Sequence, residues 1–196
     1  MNVKLPAGFM ISGRITNAAG TGIAAVSVVA TSSRDGGTVT TSSTGAFVIR
    51  GLHPANYRLE VRPRSTSNYR RGYYTNANVT HFSDTTSGAT TIAVGPSKSG
   101  IVVRLPAGYR IGDSVRGGDA PLGGVQVFAF RAGAIVRAVK SDSTGRYLIQ
   151  GLAAGTYRIQ FEPAEDAPFL GGWYQAGVPG KYTSSQASAS GLTIGP

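Results

Sequence analysis

The chain has 196 residues, a formal charge of +10, no cysteine, two histidines and nine carboxylates. Without cysteine there can be no disulfide framework, thiolate-bound zinc, iron–sulfur cluster or cysteine nucleophile, and so few histidines and carboxylates leave little for acid–base or metal chemistry. The 28 glycines and 10 prolines exceed the usual share, yet 41% hydrophobic residues can still fill a core.

In chain order, the first clear element is Val26, Val28 and Ala30 alternating with Ser27, Val29 and Thr31, a period of two rich in β-branched residues that predicts a strand. Ser43-Thr44-Gly45 reads as a hairpin turn, and Gly51 punctuates before the next run. Tyr57, Leu59 and Val61 alternate with Arg58, Glu60 and Arg62 as a half-buried strand. Arg62, Arg64, Arg70 and Arg71 then form a basic cluster interleaved with Tyr69, Tyr73 and Tyr74. Ser97-Lys98-Ser99-Gly100 reads as a short joint. Val125, Val127 and Ala129 alternate with Gln126, Phe128 and Phe130 as another strand. No stretch sustains a helical stripe, and no apolar run is long enough for a membrane-spanning helix.

The chain then repeats itself. Leu5-Pro6-Ala7-Gly8-Phe9 returns as Leu105-Pro106-Ala107-Gly108-Tyr109, and Ser43-Thr44-Gly45 as Ser143-Thr144-Gly145. Gly51-Leu52 with Tyr57-Arg58-Leu59 returns as Gly151-Leu152 with Tyr157-Arg158-Ile159. Gly72-Tyr73-Tyr74 matches Gly172-Trp173-Tyr174, and Val94-Gly95-Pro96 matches Ile194-Gly195-Pro196. The offset is 100, slipping to 99 where Val26 meets Val125. A self-match of this length predicts two copies of one module, residues 1–97 and 98–196, rather than one large fold. Strands every 8–12 residues with glycine-rich turns predict that each is an all-β sandwich of about seven strands. The chain begins and stops at equivalent points of the period, as two modules cut from a longer array would.

Residues 11–30 and 40–61, with their counterparts around Pro121-Leu122-Gly123-Gly124-Val125, resemble the carboxypeptidase regulatory-like modules. The shared pattern is a turn, a G-V-x-V strand, a T-D-x-x-G-x-Y/F turn and a G-L-x-x-G-x-Y turn. Ala55 and Asn56 stand where that pattern has Gly and Thr. The resemblance implies a transthyretin-like (prealbumin-like, Ig-like) sandwich close to the Cna-B type and to starch-binding domains. It also implies the setting of large secreted or cell-surface bacterial proteins. Cna-B relatives often carry an internal Lys–Asn bond assisted by a buried acid. Here the candidate lysine, Lys4, faces Arg104 in the second copy, and the candidate acid, Glu60, lies on the polar side of its strand opposite Gln160. No crosslink is expected, so the intact mass should show no loss of a molecule of ammonia.

No G-x-S-x-G, H-E-x-x-H or P-loop is present, so no catalytic residue, metal site or cofactor is expected. Asp113, Asp119 and Asp142, the nearest thing to a calcium set, are separated by turns. His53 and His81 are isolated and read as structural. Two features could bind something. Tyr73, Tyr74, Trp173 and Tyr174 could stack on the sugars of a polysaccharide or cell-wall glycan, although strand alternation points one of each pair inward. Arg62, Arg64, Arg70 and Arg71 could hold an anionic glycan. Nucleic acid ranks below that, because nothing else in the chain matches a known reader. The sequence therefore supports a non-catalytic spacer or adhesion stalk, with a pair of carbohydrate-binding modules as the alternative and a peptidase-associated folding aid third. The expected partners are neighbouring modules, and a strand near Met1–Leu5 is the place for head-to-tail self-association by strand addition.

Overall fold

The computed structural model describes residues 1–195, and its contacts divide into two compact units. The first holds Met1–Arg64 and Tyr69–Ala107; the second holds Ser65–Asn68 and the chain from Gly108 onward. Both are all-β.

In the first unit, β1 (Phe9–Thr16), β4 (Ala46–Leu52) and β9 (Lys98–Arg104) form the smaller sheet, in the order β4-β1-β9. The larger sheet comprises β2 (Ser27–Thr31), β3 (Gly36–Thr40), β5 (Ala55–Arg62), β6 (Gly72–Tyr74) and β7 (Phe82–Ser83), in the order β3-β2-β5-β6-β7, with β8 (Thr91–Val94) also paired to β5. Alternation decides which side faces in. Val28, Ala30, Tyr57, Leu59 and Val61 of the larger sheet are at most 1% exposed, and they meet Ile11, Ile15, Phe47, Ile49, Leu52 and Val103 of the smaller sheet in one apolar cluster.

The second unit repeats much of this plan. Its larger sheet runs β14 (Ala134–Lys140), β13 (Gln126–Arg131), β16 (Gly155–Glu162), β17 (Gly172–Tyr174), β18 (Tyr182–Thr183), with β19 (Leu192–Ile194) on β16. Its smaller sheet is β10 (Tyr109–Ser114) with β15 (Arg146–Leu152), and β11 (Arg116–Gly117) pairs with β12 (Ala120–Pro121). The registers coincide at the offset of 100: Ile11 faces Ile49 and Gly13 faces Phe47, while Ile111 faces Ile149 and Asp113 faces Tyr147.

Three details differ from the sequence reading. The turn at Ser43–Gly45 does not close a hairpin, nor does the turn that follows β4. β4 pairs with β1, whereas β3 and β5 both pair with β2, so these turns carry the chain from one sheet to the other. The strand count in each unit departs from seven, because short edge segments such as β7 and β18 pair separately. The segment read as a joint at residues 97–100 is also part of the first unit. Ser97 Oγ accepts a hydrogen bond from Met10 N at 3.0 Å, and Lys98 pairs with Ile11. The contacts thus group residues 98–107 with the first unit.

β9 joins β1 in parallel, Ile15 opposite Val103 and Thr16 opposite Arg104, with a bulge between Ile11 and Gly13. Glycine is required on both sides of that bulge. Gly100 has a φ of +73°, and a Cβ on Gly13 would lie only 1.8 Å from the Ile101 carbonyl oxygen. Beyond β9, Leu105 N donates to Thr16 O at 2.8 Å, and Arg70 N donates to Pro106 O at 3.1 Å.

One polar cluster belongs to the first unit alone. Tyr57, otherwise fully buried, donates its hydroxyl to the Asp35 carboxylate in the β2–β3 turn. The same carboxylate accepts from His53 N at 3.0 Å and faces His53 Nδ1 at 2.8 Å. The Tyr57 hydroxyl and the His53 groups hold Asp35 well below the ordinary carboxylate value, while burial and the adjoining Asp35 push the Tyr57 phenol up. The Tyr57 hydroxyl also lies 3.0 Å from His53 O, as Tyr157 of the second unit lies 2.8 Å from Ala153 O, and there the Arg131 guanidinium lies over the ring at 5.9 Å.

Two predictions follow from this packing. Leu105 is 1% exposed in the first unit's core and Leu5 is 86% exposed. In dilute solution Leu105→Ala should cost about 2–5 kcal/mol in urea unfolding, whereas Leu5→Ala should stay within about 0.5 kcal/mol of the parent. Asp35 provides a pH test. A folded-state pKa held below the ordinary 3.8 stabilises the fold above that value and ceases to do so as acid protonates the carboxylate. Asp35→Asn should therefore lower the melting temperature of the first unit at neutral pH, and the gap from the parent should close as the pH is taken below about 4. A gap that is constant across that range would show that the carboxylate charge is not what stabilises the turn.

Candidate ligand-binding site

The aromatic pairs occupy the same address in each unit, the short strand paired with β5 or β16, and in the first unit the arginine cluster lies in the chain just before it. In the first unit Tyr73 stands opposite Glu60 and Gly72 opposite Val61; in the second Trp173 stands opposite Gln160 and Gly172 opposite Phe161. Alternation then sorts the aromatic pairs. Tyr74 and Tyr174 turn inward and pack against the two cores, each half-buried. Tyr73 and Trp173 lie on the outer side of the larger sheets, beside Glu60 and Gln160.

That outer address carries different chemistry in the two units. In the second it is apolar. The Phe130 ring sits 4.8 Å from the Trp173 indole at a tilt of 55°, and Trp173 is only 7% exposed. Most of the indole is therefore covered within its own unit, unlike the solvent-facing platform that stacking on a sugar would use. Its cover comes from neighbours on the sheet that strand alternation alone could not foresee. The exposed apolar side chains nearby are Phe169, Leu170 and Tyr182, the last donating its hydroxyl to Gly171 O at 3.0 Å.

In the first unit the address is ionic. Glu60 accepts from Arg62 Nη2 at 2.7 Å through one carboxylate oxygen and from Arg71 Nε through the other. Burial raises the Glu60 pKa, but these two hydrogen bonds and charges outweigh it and hold the group below its ordinary value; the same pairing raises Arg62. Arg70 pairs with Asp84, its Nε donating at 2.8 Å, and lies 5.6 Å above the Phe82 ring. Arg64 is exposed. Three of the four arginines proposed for anion binding therefore already have carboxylate partners, which no local motif announced because Asp84 is 14 residues from Arg70.

Glu60, the candidate acid for a crosslink, is thus committed to two arginines, and Lys4 is exposed. Asp142 caps its own turn: its Oδ1 accepts from Thr144 N, Thr144 Oγ1 and Arg146 N, and the Thr144 hydroxyl is the main cause of its lowered pKa. Asp113 Oδ1 accepts from Ser114 N. Among the described residues no three histidine or carboxylate side chains gather as a metal site would require, and no helix is long and apolar enough to cross a membrane. His81 faces Thr75 O through Nδ1 at 3.1 Å and stacks on Tyr74.

No curated protein matches the chain. Among solved structures, a streptococcal ancillary pilin is similar at a TM-score of 0.46 and 17% identity, covering 97% of this chain. The chain spans 59% of that pilin's length. GBS52, the minor pilin of Streptococcus agalactiae, is similar at a TM-score of 0.41 and 13% identity, over 95% of this chain and 90% of that one. A DUF3823 family protein from Bacteroides ovatus is similar at 0.37 and 9% identity, over 96% and 99%. Likeness at this level concerns the β-sandwich and says nothing of role. Residues 10–94, which run from β1 to the end of β8 in the first unit, match the family of the carboxypeptidase regulatory-like domain.

Proposed function

We propose that the chain is a non-catalytic pair of β-sandwich modules in a secreted or cell-surface bacterial protein, and that it serves as a structural spacer or adhesion stalk. The observation that carries this reading is that the groups best suited to hold a ligand are already used inside the units. Trp173 is covered beside Phe130, Arg62 and Arg71 share Glu60, and Arg70 is held by Asp84. A side chain so engaged stabilises its own sheet, and withdrawing it to meet a ligand would expose a buried ring or an uncompensated carboxylate. In a spacer the useful property is the folded module itself: reach is set by how many modules are strung together, and each must resist unfolding on its own. Neighbouring modules of the same protein are then the natural partners.

The alternative, a carbohydrate-binding pair that stacks sugars on surface aromatics, makes a different forecast. On the spacer reading, a panel of neutral and acidic polysaccharides should yield no retained ligand, and Trp173→Ala should cost about 3–5 kcal/mol of stability in the second unit, as loss of a buried indole does. Polysaccharide retention that disappears in a folded Trp173→Ala protein would overturn the spacer reading in favour of the alternative.

A further inference from the structure

The outer face of the larger sheet has different chemistry in the two units. In the second, Val127, Ala129, Tyr157 and Ile159 lie in the core. Alternation therefore turns Gln126, Phe128 and Phe130 of β13 outward, with Arg158, Gln160 and Glu162 of β16. The ladder sets these side chains in rows across the strands. Phe128, Gln160 and Trp173 form the middle row. Ile135, Phe130 and Arg158 lie in the row on one side of it, and Lys140, Gln126 and Glu162 in the row on the other. The middle of the face is thus aromatic, and it is open: Phe128 and Phe130 are only half-buried, and Ile135 is 54% exposed. Arg158 and Glu162 are both exposed, and among the described residues neither enters an ion pair.

The first unit differs at each of these places. Ser27, Val29 and Thr31 stand where the second unit has Gln126, Phe128 and Phe130. Arg58, Glu60 and Arg62 stand where it has Arg158, Gln160 and Glu162. Both ends of that strand face are arginine, so two such faces laid together antiparallel would set like charges against each other. In the second unit the two ends carry opposite charges, about 13 Å apart along β16, with an apolar strip between them. Such a face is its own complement.

We propose that the outer face of the second unit's larger sheet is a homodimer interface, covered by the same face of a second copy. A twofold axis that runs across the strands, between the sheets and over the middle row, lays β16 antiparallel on its own counterpart. Phe128 and Trp173 then meet their counterparts, and Phe130 meets Gln126. Arg158 meets Glu162 twice, once at each end of the strand. Sheets packed face to face are about 10 Å apart, a gap that an arginine and a glutamate together span. Lys140 comes over Ile135, whose exposed side chain its methylene stem covers. The aromatic strip supplies the affinity and the two charge pairs set the orientation. Each copy has one such face, so association closes at two copies. The proposal goes beyond the spacer reading and stands on this face alone.

Sedimentation equilibrium of the full chain over a range of concentrations provides the test. The expected mass rises from one copy to two and stops there. Arg158→Glu and Glu162→Arg, each at an exposed position, should keep the parent's circular dichroism and raise the dimer dissociation constant by about tenfold or more. An equimolar mixture of those two variants should recover the parent's association, because a doubly acidic face then meets a doubly basic one. Arg158→Glu/Glu162→Arg in one chain should dimerise as the parent does. A monomer at every concentration, growth beyond two copies, a dimer that neither charge reversal weakens, or a mixture that recovers nothing overturns the interface. A monomeric chain whose polysaccharide retention is lost in a folded Phe128→Asp protein also overturns it and assigns the face to sugar. The spacer reading stands or falls separately, on polysaccharide retention.

Discussion

The parallel contact between β9 and β1 is the constraint on which the first unit depends. A strand whose residues lie almost ninety positions after their partners closes the smaller sheet and, with the residue that follows it, delivers two fully buried aliphatic side chains to the core. It does so through a bulge that tolerates no side chain at Gly13 and requires a positive φ at Gly100. Closing so long a loop costs chain entropy, which the burial of Val103 and Leu105 in the core offsets. The same contact moves the boundary between modules, because the segment that opens the second period of the sequence finishes the first unit of the fold.

This explains what the sequence could and could not disclose. Period-two patterning places Tyr57, Leu59 and Val61 inside and Arg58 and Arg62 outside, because alternation is a local property of any strand. The offset of 100 locates equivalent residues for the same local reason. Sheet membership is not local. Ser43-Thr44-Gly45 has the same turn chemistry whether the next strand doubles back or crosses to the other sheet, and only the pairing of β4 with β1 decides between them. A repeat likewise fixes the period but not its phase, so nothing at Lys98 shows that its strand docks backwards.

The site residues were legible to a similar degree. Alternation correctly implied that one aromatic of each pair faces in, and Tyr74 and Tyr174 do. The covering of Trp173 by Phe130 joins residues distant in the chain, as do the pairings of Arg70 with Asp84 and of Asp35 with Tyr57. Interactions of this kind appear as isolated charges or aromatics in a sequence, and an isolated arginine looks the same whether its partner is a ligand or a carboxylate in the same unit.

The differing environments of Tyr57 and Tyr157 bear on how near-duplicate modules fold side by side. Joined repeats risk exchanging elements during synthesis, since a strand from one can dock into its sibling. In the first unit the tyrosine hydroxyl meets a carboxylate from the β2–β3 turn; in the second an arginine at the end of β13, where the corresponding turn begins, lies over the ring. A turn that strayed into the wrong sandwich would bring the wrong charge to a nearly buried phenol. The two turns are therefore not interchangeable, because each brings to its own buried tyrosine a partner that the other unit lacks.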